Sequence, residues 1–254
     1  MRHKLNLGLT TLERLALLLY GGYGAGKTHL QGDFLTWAKE QKRGPVAFLN
    51  IAGEDGYLSL NNFDLSKDIV ETVETVEDFR GALADFAKGK VFALAVDGAT
   101  AYYDLLLKSF FGSVRYPDPK IDGERAKMVW GQLTMGMKDA VTESKAAVPY
   151  VFWVAPHDKG EDSVTGEKGT TPDLPGKLSR VIAGKFDFVG HLKAETLGPT
   201  QVKRRVSFQP SPNMITRQRG THQITADIQI PEGKGGWKAI MDGLEKTLPK
   251  GGTT

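Results

Sequence analysis

Short apolar runs alternate with helix-like segments through the first two thirds of the chain. A strand buried on both faces is hydrophobic throughout, so a continuous apolar run ended by glycine or polar residues predicts one. Four runs fit: "LALLLY" (15–20), "PVAFLNIA" (45–52), "VFALAV" (91–96) and "PYVFWVA" (149–155). Apolar residues recur at helical spacing between and after them, in 27–42, 76–88, 101–111 and 124–147. The alternation predicts βαβ units and a parallel sheet covered by helices.

The pattern changes after Phe186. Three β-like segments follow with no room for helices between them: "FDFVGHLKAE", "QVKRRVSFQ" and "HQITADIQI". They predict an antiparallel extension of the same sheet, and a final short helix is predicted from Trp237 to Leu248. We therefore expect an α/β fold in one domain over 1–254, a mainly parallel sheet flanked by helices with antiparallel C-terminal strands. Residues 1–13 are expected as an N-terminal extension, 159–177 as a long loop and 249–254 as a tail.

Composition narrows the class of protein. The 254 residues are 40% hydrophobic and 25% charged, with a net charge of +3 and no cysteine. Without cysteine, neither a disulfide framework nor a thiolate metal site can form. Glu13 and Arg14 interrupt the apolar start, and no stretch reaches the roughly 18 apolar residues of a membrane span. A soluble, cytoplasmic protein without a membrane partner is expected.

One motif carries specific chemistry. "GGYGAGKT" (21–28) places four glycines among six positions and fits G-x-x-x-x-G-K-[ST], between a predicted strand and a predicted helix. In such a P-loop the backbone N–H groups surround phosphates, Lys27 reaches them as a point charge and the Thr28 hydroxyl binds Mg²⁺. The alternative is a glycine-rich turn with a solvated lysine. The predicted nucleotide-binding residues are Gly21, Gly22, Tyr23, Gly24, Ala25, Gly26, Lys27, Thr28 and His29.

Polar residues follow three further strands at the same predicted edge of the sheet, where α/β proteins bind ligands. Asp97 ends the third strand and could hold Mg²⁺ through water; its alternative role is a helix N-cap. Glu54 and Asp55 follow the second strand, where one carboxylate could activate water, or both could lie in a solvated turn. His157 follows the fourth strand and could contact the γ-phosphate, or serve as an ordinary hydrogen-bonding residue.

This order of elements resembles the RecA-type ATPase core. The closer likeness is to phage-encoded P-loop proteins, some of them RecA-like single-strand annealing recombinases, in "YGGYGAGKT", "VDGATAYYDLLLK", "WGQLTMGMKD", "VFWVAPHDK" and "TPDLPGKLSRVIAGKFDFVGHL". The resemblance implies a Mg²⁺-dependent ATPase with Glu54 as the water-activating acid, Lys27 on the phosphates and His157 in the position of a coupling glutamine. "NIAGED" departs from the family by an asparagine and an extra glycine. The choice between Glu54 and Asp55 as the water-activating acid therefore stays open.

The resemblance also implies partners. Two loops of a RecA-type core face DNA, and 112–125 and 159–177 are the corresponding segments. Residues 199–222 contain five basic residues and no acidic one: Lys203, Arg204, Arg205, Arg217 and Arg219. This cluster could contact DNA phosphates, complete the ATP site of a neighbouring subunit, or form a solvated strand face. We expect a homo-oligomer with ATP between subunits and Lys203, Arg204 and Arg205 acting in trans.

Two classes of function remain open at this point. The first is a RecA-like ATPase that acts on single-stranded DNA in phage recombination or annealing, with a single-strand DNA-binding protein as a further partner. The second is a P-loop NTPase with another task, such as a helicase loader, a packaging accessory or a nucleotide-binding regulator. A phosphotransferase comes third, because the 159–177 segment lacks the arginines that a catalytic lid would use.

Overall fold

The computed structural model describes residues 13–54, 56–60, 63–64, 67–112, 117–161, 168–198, 201–219 and 224–246. Its strands are β1 (Leu15–Gly21), β2 (Val46–Ile51), β3 (Ile69–Val73), β4 (Ala93–Asp97), β5 (Tyr150–Glu161), β6 (Lys168–Pro172), β7 (Phe188–Thr196), β8 (Val202–Ser207), β9 (Arg217–Gln218) and β10 (Ile228–Ile230). Its helices are α1 (Lys27–Glu40), α2 (Val76–Lys88), α3 (Ala99–Phe111), α4 (Pro119–Ala147), α5 (Leu178–Ala183) and α6 (Gly236–Glu245), with a 3₁₀ turn at Gly56–Leu60.

Within the described residues, one path of eight strands forms the central sheet, in the order β10-β8-β7-β1-β5-β4-β2-β3. The pairs from β7 to β3 are parallel, and β8 and β10 add antiparallel pairs at one edge. The predicted fold class is confirmed. One detail was wrong: β7 was expected to be antiparallel but runs parallel to β1, and the antiparallel part begins with β8.

Helices cover both faces of the sheet because its central strands are apolar on both sides. In β1, Ala16, Leu18 and Tyr20 belong to the core beneath α2, α3, α4 and α5, whereas Leu15, Leu17 and Leu19 belong to the core beneath α1 and α6. The pleat sends alternate side chains to opposite faces, so one short strand serves two cores. Among the described residues, no helix combines the length and apolarity that a membrane crossing requires.

The segment predicted as a long loop over 159–177 is partly a β-hairpin. β5 continues to Glu161, and β6 returns antiparallel along it, with His157 opposite Pro172. Residues 162–167 lie outside the described part of the chain. The segment lacks apolar periodicity, so its backbone pairing could not be read from hydrophobicity. The short helix α5 then follows.

Three other boundaries differ from expectation. β3 was missed because "IVETV" is an edge strand whose middle residues are exposed, which removes the apolar signal. α4 begins at Pro119, with a kink at Gly123 (φ 54°), within the loop predicted over 112–125. The last predicted strand is reduced to β10.

Glu13 is the one described residue of the predicted 1–13 extension. The 249–254 tail lies outside the described chain, as does the end of the last predicted helix beyond residue 246.

Candidate nucleotide-binding site

The loop between β1 and α1 has a backbone suited to phosphate. Gly24 and Gly26 have φ angles of 72° and 95°, in the left-handed region that favours glycine. Gly21 lies so close to β7 that a Cβ atom there would stand 2.4 Å from the Leu192 carbonyl oxygen. No side chain caps the start of α1 at Gly26, so N–H groups of its first turn remain for an anion.

Lys27 points back into this loop. Its Nζ donates hydrogen bonds of 3.0 Å to the carbonyl oxygens of Gly21 and Gly22. Burial lowers the pKa of Lys27, while the negative charges of Asp97 and Glu54 act to raise it. The ammonium is thus held beside the loop N–H groups, as a phosphate-binding lysine requires.

Asp97 and Thr28 form the second part of the site. The buried Asp97 carboxylate accepts a hydrogen bond of 2.9 Å from the Thr28 hydroxyl, which joins the end of β4 to the first turn of α1. Burial raises the pKa of Asp97, opposed by the Thr28 hydrogen bond and the Lys27 charge. The N-cap of α3 is Gly98, with no side-chain cap, so the N-cap alternative for Asp97 is excluded.

Glu54 completes the group. A cavity of about 270 Å³ is lined by Lys27, Thr28, Glu54 and Asp97 together. The Glu54 side chain can lie here because residue 98 is a glycine: a Cβ atom on Gly98 would be 2.6 Å from the Glu54 Cγ atom. Asp55, the alternative acid, lies outside the described residues, so the choice between the two stays open.

These donors fit the phosphates of a nucleotide together with Mg²⁺. A hydroxyl and a carboxylate are ligands that Mg²⁺ accepts alongside water and phosphate oxygens, and here they are already hydrogen-bonded to each other. Thr28 and Asp97 would hold the ion, which neutralises phosphate charge when bound. Glu54 lines the same cavity, and as the residue that would take a proton from water it stays a prediction.

His157 lies at the edge of this site, in β5. A Cβ atom on Gly22 would be 3.6 Å from the His157 ring. His157 Nδ1 is 3.4 Å from the Nε2 atom of His191, a buried residue of β7 that stacks on Tyr20. The Tyr20 hydroxyl donates to the carbonyl oxygen of Thr170 in β6 at 3.2 Å. We call these five residues the histidine row; it joins the P-loop to the β5–β6 hairpin.

His191 was missed in the sequence. The available signal was a histidine inside the apolar run "FVGHL", where a polar residue needs a partner. Its position beside His157 could not be read from the chain, because β5 and β7 are separated by β1 in the sheet.

A second, larger cavity adjoins the phosphate cavity and shares Glu54 with it. It measures about 660 Å³, and Glu74, Asp104 and Asp173 also line it. Burial raises the pKa of Asp104 and of Asp173, and a neighbouring carboxylate raises each further. Lys108 is the cation among the described lining residues. The cavity is therefore acidic.

The basic strand β8 differs from expectation. Arg204 contacts the P-loop of its own chain: its Nε donates to the Ala25 carbonyl oxygen at 3.1 Å. Arg204 thus lies beside the P-loop of its own chain, whereas the sequence had assigned it to a neighbour's site; that trans role stays a prediction. Arg205 pairs with Glu195 and Asp227 on its own sheet, and Lys203 is exposed. For Lys203 and Arg205 a trans role stays a prediction.

The other two basic residues of the cluster lie near the opposite edge of the sheet. Arg219 Nη1 is 3.2 Å from Asp187, next to the start of β7. Arg217 is in β9, and burial lowers its pKa, as does the charge of Arg219. Neither belongs to the phosphate cavity.

Comparison with known families agrees with this geometry. A family described as "AAA domain" matches residues 13–220, which includes the P-loop, Glu54, Asp97, His157 and β8. A search of curated proteins finds no match. The RecA-like and phage-type parts of the sequence resemblance are finer than this match and stay predictions. Because the match covers most of the chain and its P-loop, the chain belongs to the AAA domain family of nucleotide-binding P-loop ATPases.

Proposed function

We propose that the chain is a RecA-like, Mg²⁺-dependent ATPase that acts on single-stranded DNA in phage recombination or annealing. The observation that carries this proposal is the histidine row. It runs from Gly22 in the P-loop, through His157, His191 and Tyr20, to Thr170 in the β5–β6 hairpin. A phosphate that moves His157 therefore moves the hairpin, which is one of the two segments where the resemblance expects DNA. Nucleotide state and DNA contact are coupled through this row.

Hydrolysis is assigned to the residues of the phosphate cavity. Lys27 and the N–H groups of the loop bind the phosphates, and Thr28 and Asp97 hold the ion. Glu54 takes a proton from the attacking water, and a positioned base of this kind contributes about 10²–10⁴ in rate. His157 reports the γ-phosphate to the hairpin. Asp97 is not assigned as the base, because its buried carboxylate is hydrogen-bonded to Thr28 and holds the ion with it.

The acidic cavity supports assembly of several copies. A cavity lined by Glu74, Asp104 and Asp173 favours a basic side chain, and it adjoins the end of the phosphate cavity that contains Glu54. We assign that position to Lys203 or Arg205 of a second copy, since these side chains point away from their own P-loop. A basic residue supplied in trans contributes about 10³–10⁵ in rate in related phosphoryl transfers.

The test is ATPase activity of the full chain with and without single-stranded DNA, at two salt concentrations. We expect turnover that rises with single-stranded DNA, and a rise that weakens at higher salt. Lys27→Ala is the control that abolishes nucleotide binding, and Glu54→Gln should bind nucleotide but lose most turnover.

Two results would overturn parts of the proposal. Turnover unaffected by DNA at either salt concentration would remove the DNA role and favour a helicase loader, a packaging accessory or a regulator. Full turnover in Glu54→Gln would remove Glu54 as the base and leave Asp55 as the candidate.

A further inference from the structure

A third cavity lies beside the first turn of α1, next to the phosphate cavity. It measures about 320 Å³ and shares Gly26, His29 and Ser59 with the phosphate cavity. Its other walls include Arg204 of β8 and the residues Ile230 and Pro231 at the end of β10. A volume of this size is at the lower end for small-molecule sites, about 300–1,000 Å³. The two cavities are therefore neighbours at the first turn of α1.

The far wall is attached firmly to α1. The Asp33 carboxylate accepts hydrogen bonds from the N–H groups of Gly235 and Trp237, at 3.1 and 2.7 Å. The His29 Nε2 atom is 2.9 Å from the carbonyl oxygen of Gly233. The segment between β10 and α6 is thereby fixed against the helix that carries the P-loop, so this wall is preformed.

Arg204 forms the near wall. In the described part of the chain its guanidinium makes one hydrogen bond, from Nε to the Ala25 carbonyl oxygen. That bond fixes the planar group beside Gly26, whose Cβ position would lie 3.2 Å from Nε, and leaves the Nη groups for a ligand. Strand alternation sends the neighbouring Lys203 to the opposite face of the sheet.

We propose that this cavity, the base cavity, holds the base and ribose of the nucleoside triphosphate whose phosphates occupy the P-loop. The proposal rests on the proposed nucleotide-binding function. The base cavity shares Gly26 and His29 with the phosphate cavity, so a nucleoside attached to phosphates in the loop can reach it. A planar guanidinium opposite aliphatic Ile230 and Pro231 suits a flat aromatic ring, because arginine stacks on π faces. Arg204 is then a nucleotide-binding residue that acts in cis.

The test separates base from phosphate. Calorimetry compares ATP with inorganic tripolyphosphate, both with Mg²⁺, for wild type, Arg204→Gln and Lys88→Gln. We expect wild type to prefer ATP, and Arg204→Gln to lose about tenfold of ATP affinity while tripolyphosphate binding is unchanged. Lys88→Gln removes the same charge from an exposed position on α2, away from both cavities, and should match wild type for both ligands.

The outcomes distinguish the two levels of the proposal. Equal losses for ATP and tripolyphosphate in Arg204→Gln would assign Arg204 to the phosphates and overturn the base cavity. Equal affinity of wild type for both ligands would also overturn it. No binding of either ligand to wild type would instead defeat the nucleotide-binding function.

A second measurement does not depend on a variant that folds. Wild-type protein is photolabelled with 8-azido-ATP, and the modified peptide is identified by mass spectrometry. A label within 228–235 or on the peptide that contains Arg204 supports the proposal. Tyr23 is the competing aromatic surface, since it is 87% exposed in the P-loop. A label on Tyr23 alone would place the base outside the cavity and overturn the proposal.

Discussion

Gly56→Ala tests whether the turn after β2 positions the carboxylates of Glu54 and Asp97. A Cβ atom at Gly56 would lie 1.7 Å from the Asp97 Oδ2 atom, whereas real Cβ contacts are essentially never under 3.0 Å. The separation must therefore grow by more than an ångström. Either the Asp97 carboxylate leaves its hydrogen bond with Thr28, or the turn that carries Glu54 moves away from the cavity. The clash cannot be relieved by rotating the end of a long side chain, because the Asp97 side chain is short and buried.

The expected effect follows from that displacement. A misplacement of about 1 Å in a catalytic group costs about 100-fold in rate. We therefore expect kcat for ATP hydrolysis to fall about 100-fold in Gly56→Ala, because Mg²⁺ and the attacking water lose their aligned partners. Besides Asp97, the atom nearest to this Cβ is the Thr28 methyl carbon at 3.3 Å; Lys27 and the loop glycines are not among the nearest atoms, so nucleotide affinity measured without Mg²⁺ should match wild type. Phosphate release under saturating ATP gives kcat, and calorimetry in EDTA gives the affinity.

Gly81→Ala is the matched control. Gly81 lies inside α2, and a Cβ atom there would meet nothing within 4 Å. The same substitution should leave kcat unchanged and stabilise the helix by about 0.5–1 kcal/mol. If Gly56→Ala kept the wild-type kcat, the prediction would be refuted, because the close contact between Gly56 and Asp97 would then position neither carboxylate. Loss of Mg²⁺-free binding together with a large fall in Tm would refute it too, by pointing to damage of the fold.

Three further predictions follow from single contacts. Burial raises the pKa of Asp97, so the native protein keeps that proton to higher pH than the unfolded chain does, and the free energy of unfolding falls as pH rises above about 4. The Tm of Asp97→Asn should therefore exceed that of wild type at neutral pH but not below about pH 4. An equal Tm difference at both pH values would contradict this. The variant should also lose the Mg²⁺-dependent part of nucleotide affinity. Asp33→Ala removes the acceptor for two N–H groups at the start of α6 and should cost about 2 kcal/mol in urea unfolding; an unchanged midpoint would contradict it. Mixing Lys27→Ala with a Lys203→Gln, Arg205→Gln double variant should restore ATPase activity if ATP lies between subunits; a mixture no more active than its parts, or a monomer with full activity, would exclude sharing.

Much of the fold was predictable because its signals are local. The central strands are apolar along their whole length, and glycine or a polar residue ends each of them. β1, β2, β4 and the inner part of β5 were therefore visible as runs, and the P-loop as a motif between a strand and a helix. Edge elements gave weaker signals: β3 exposes its middle residues, and the segment of the β5–β6 hairpin has no apolar period in its sequence. Local pattern predicts elements that are buried and misses those that pairing alone maintains.

The candidate site divides in the same way. The sequence by itself determined that a P-loop is present, that Lys27 and Thr28 belong to it, and that acids follow the second and third strands at one edge of the sheet. Only the tertiary structure decided which of these touch. Thr28 and Asp97 are 69 residues apart, and their hydrogen bond depends on α1 packing over β4.

The basic strand shows most clearly what tertiary structure adds. In the sequence, Lys203, Arg204 and Arg205 form one cluster whose members share the same possible roles. In the sheet, the pleat sends Arg204 to the α1 face, where it contacts Ala25, and sends its two neighbours to the other face. Which face meets the P-loop depends on the register of β8 against β7 and on the place of β7 beside β1. Those pairings join residues far apart in the chain, and a one-residue change of register would reverse the outcome.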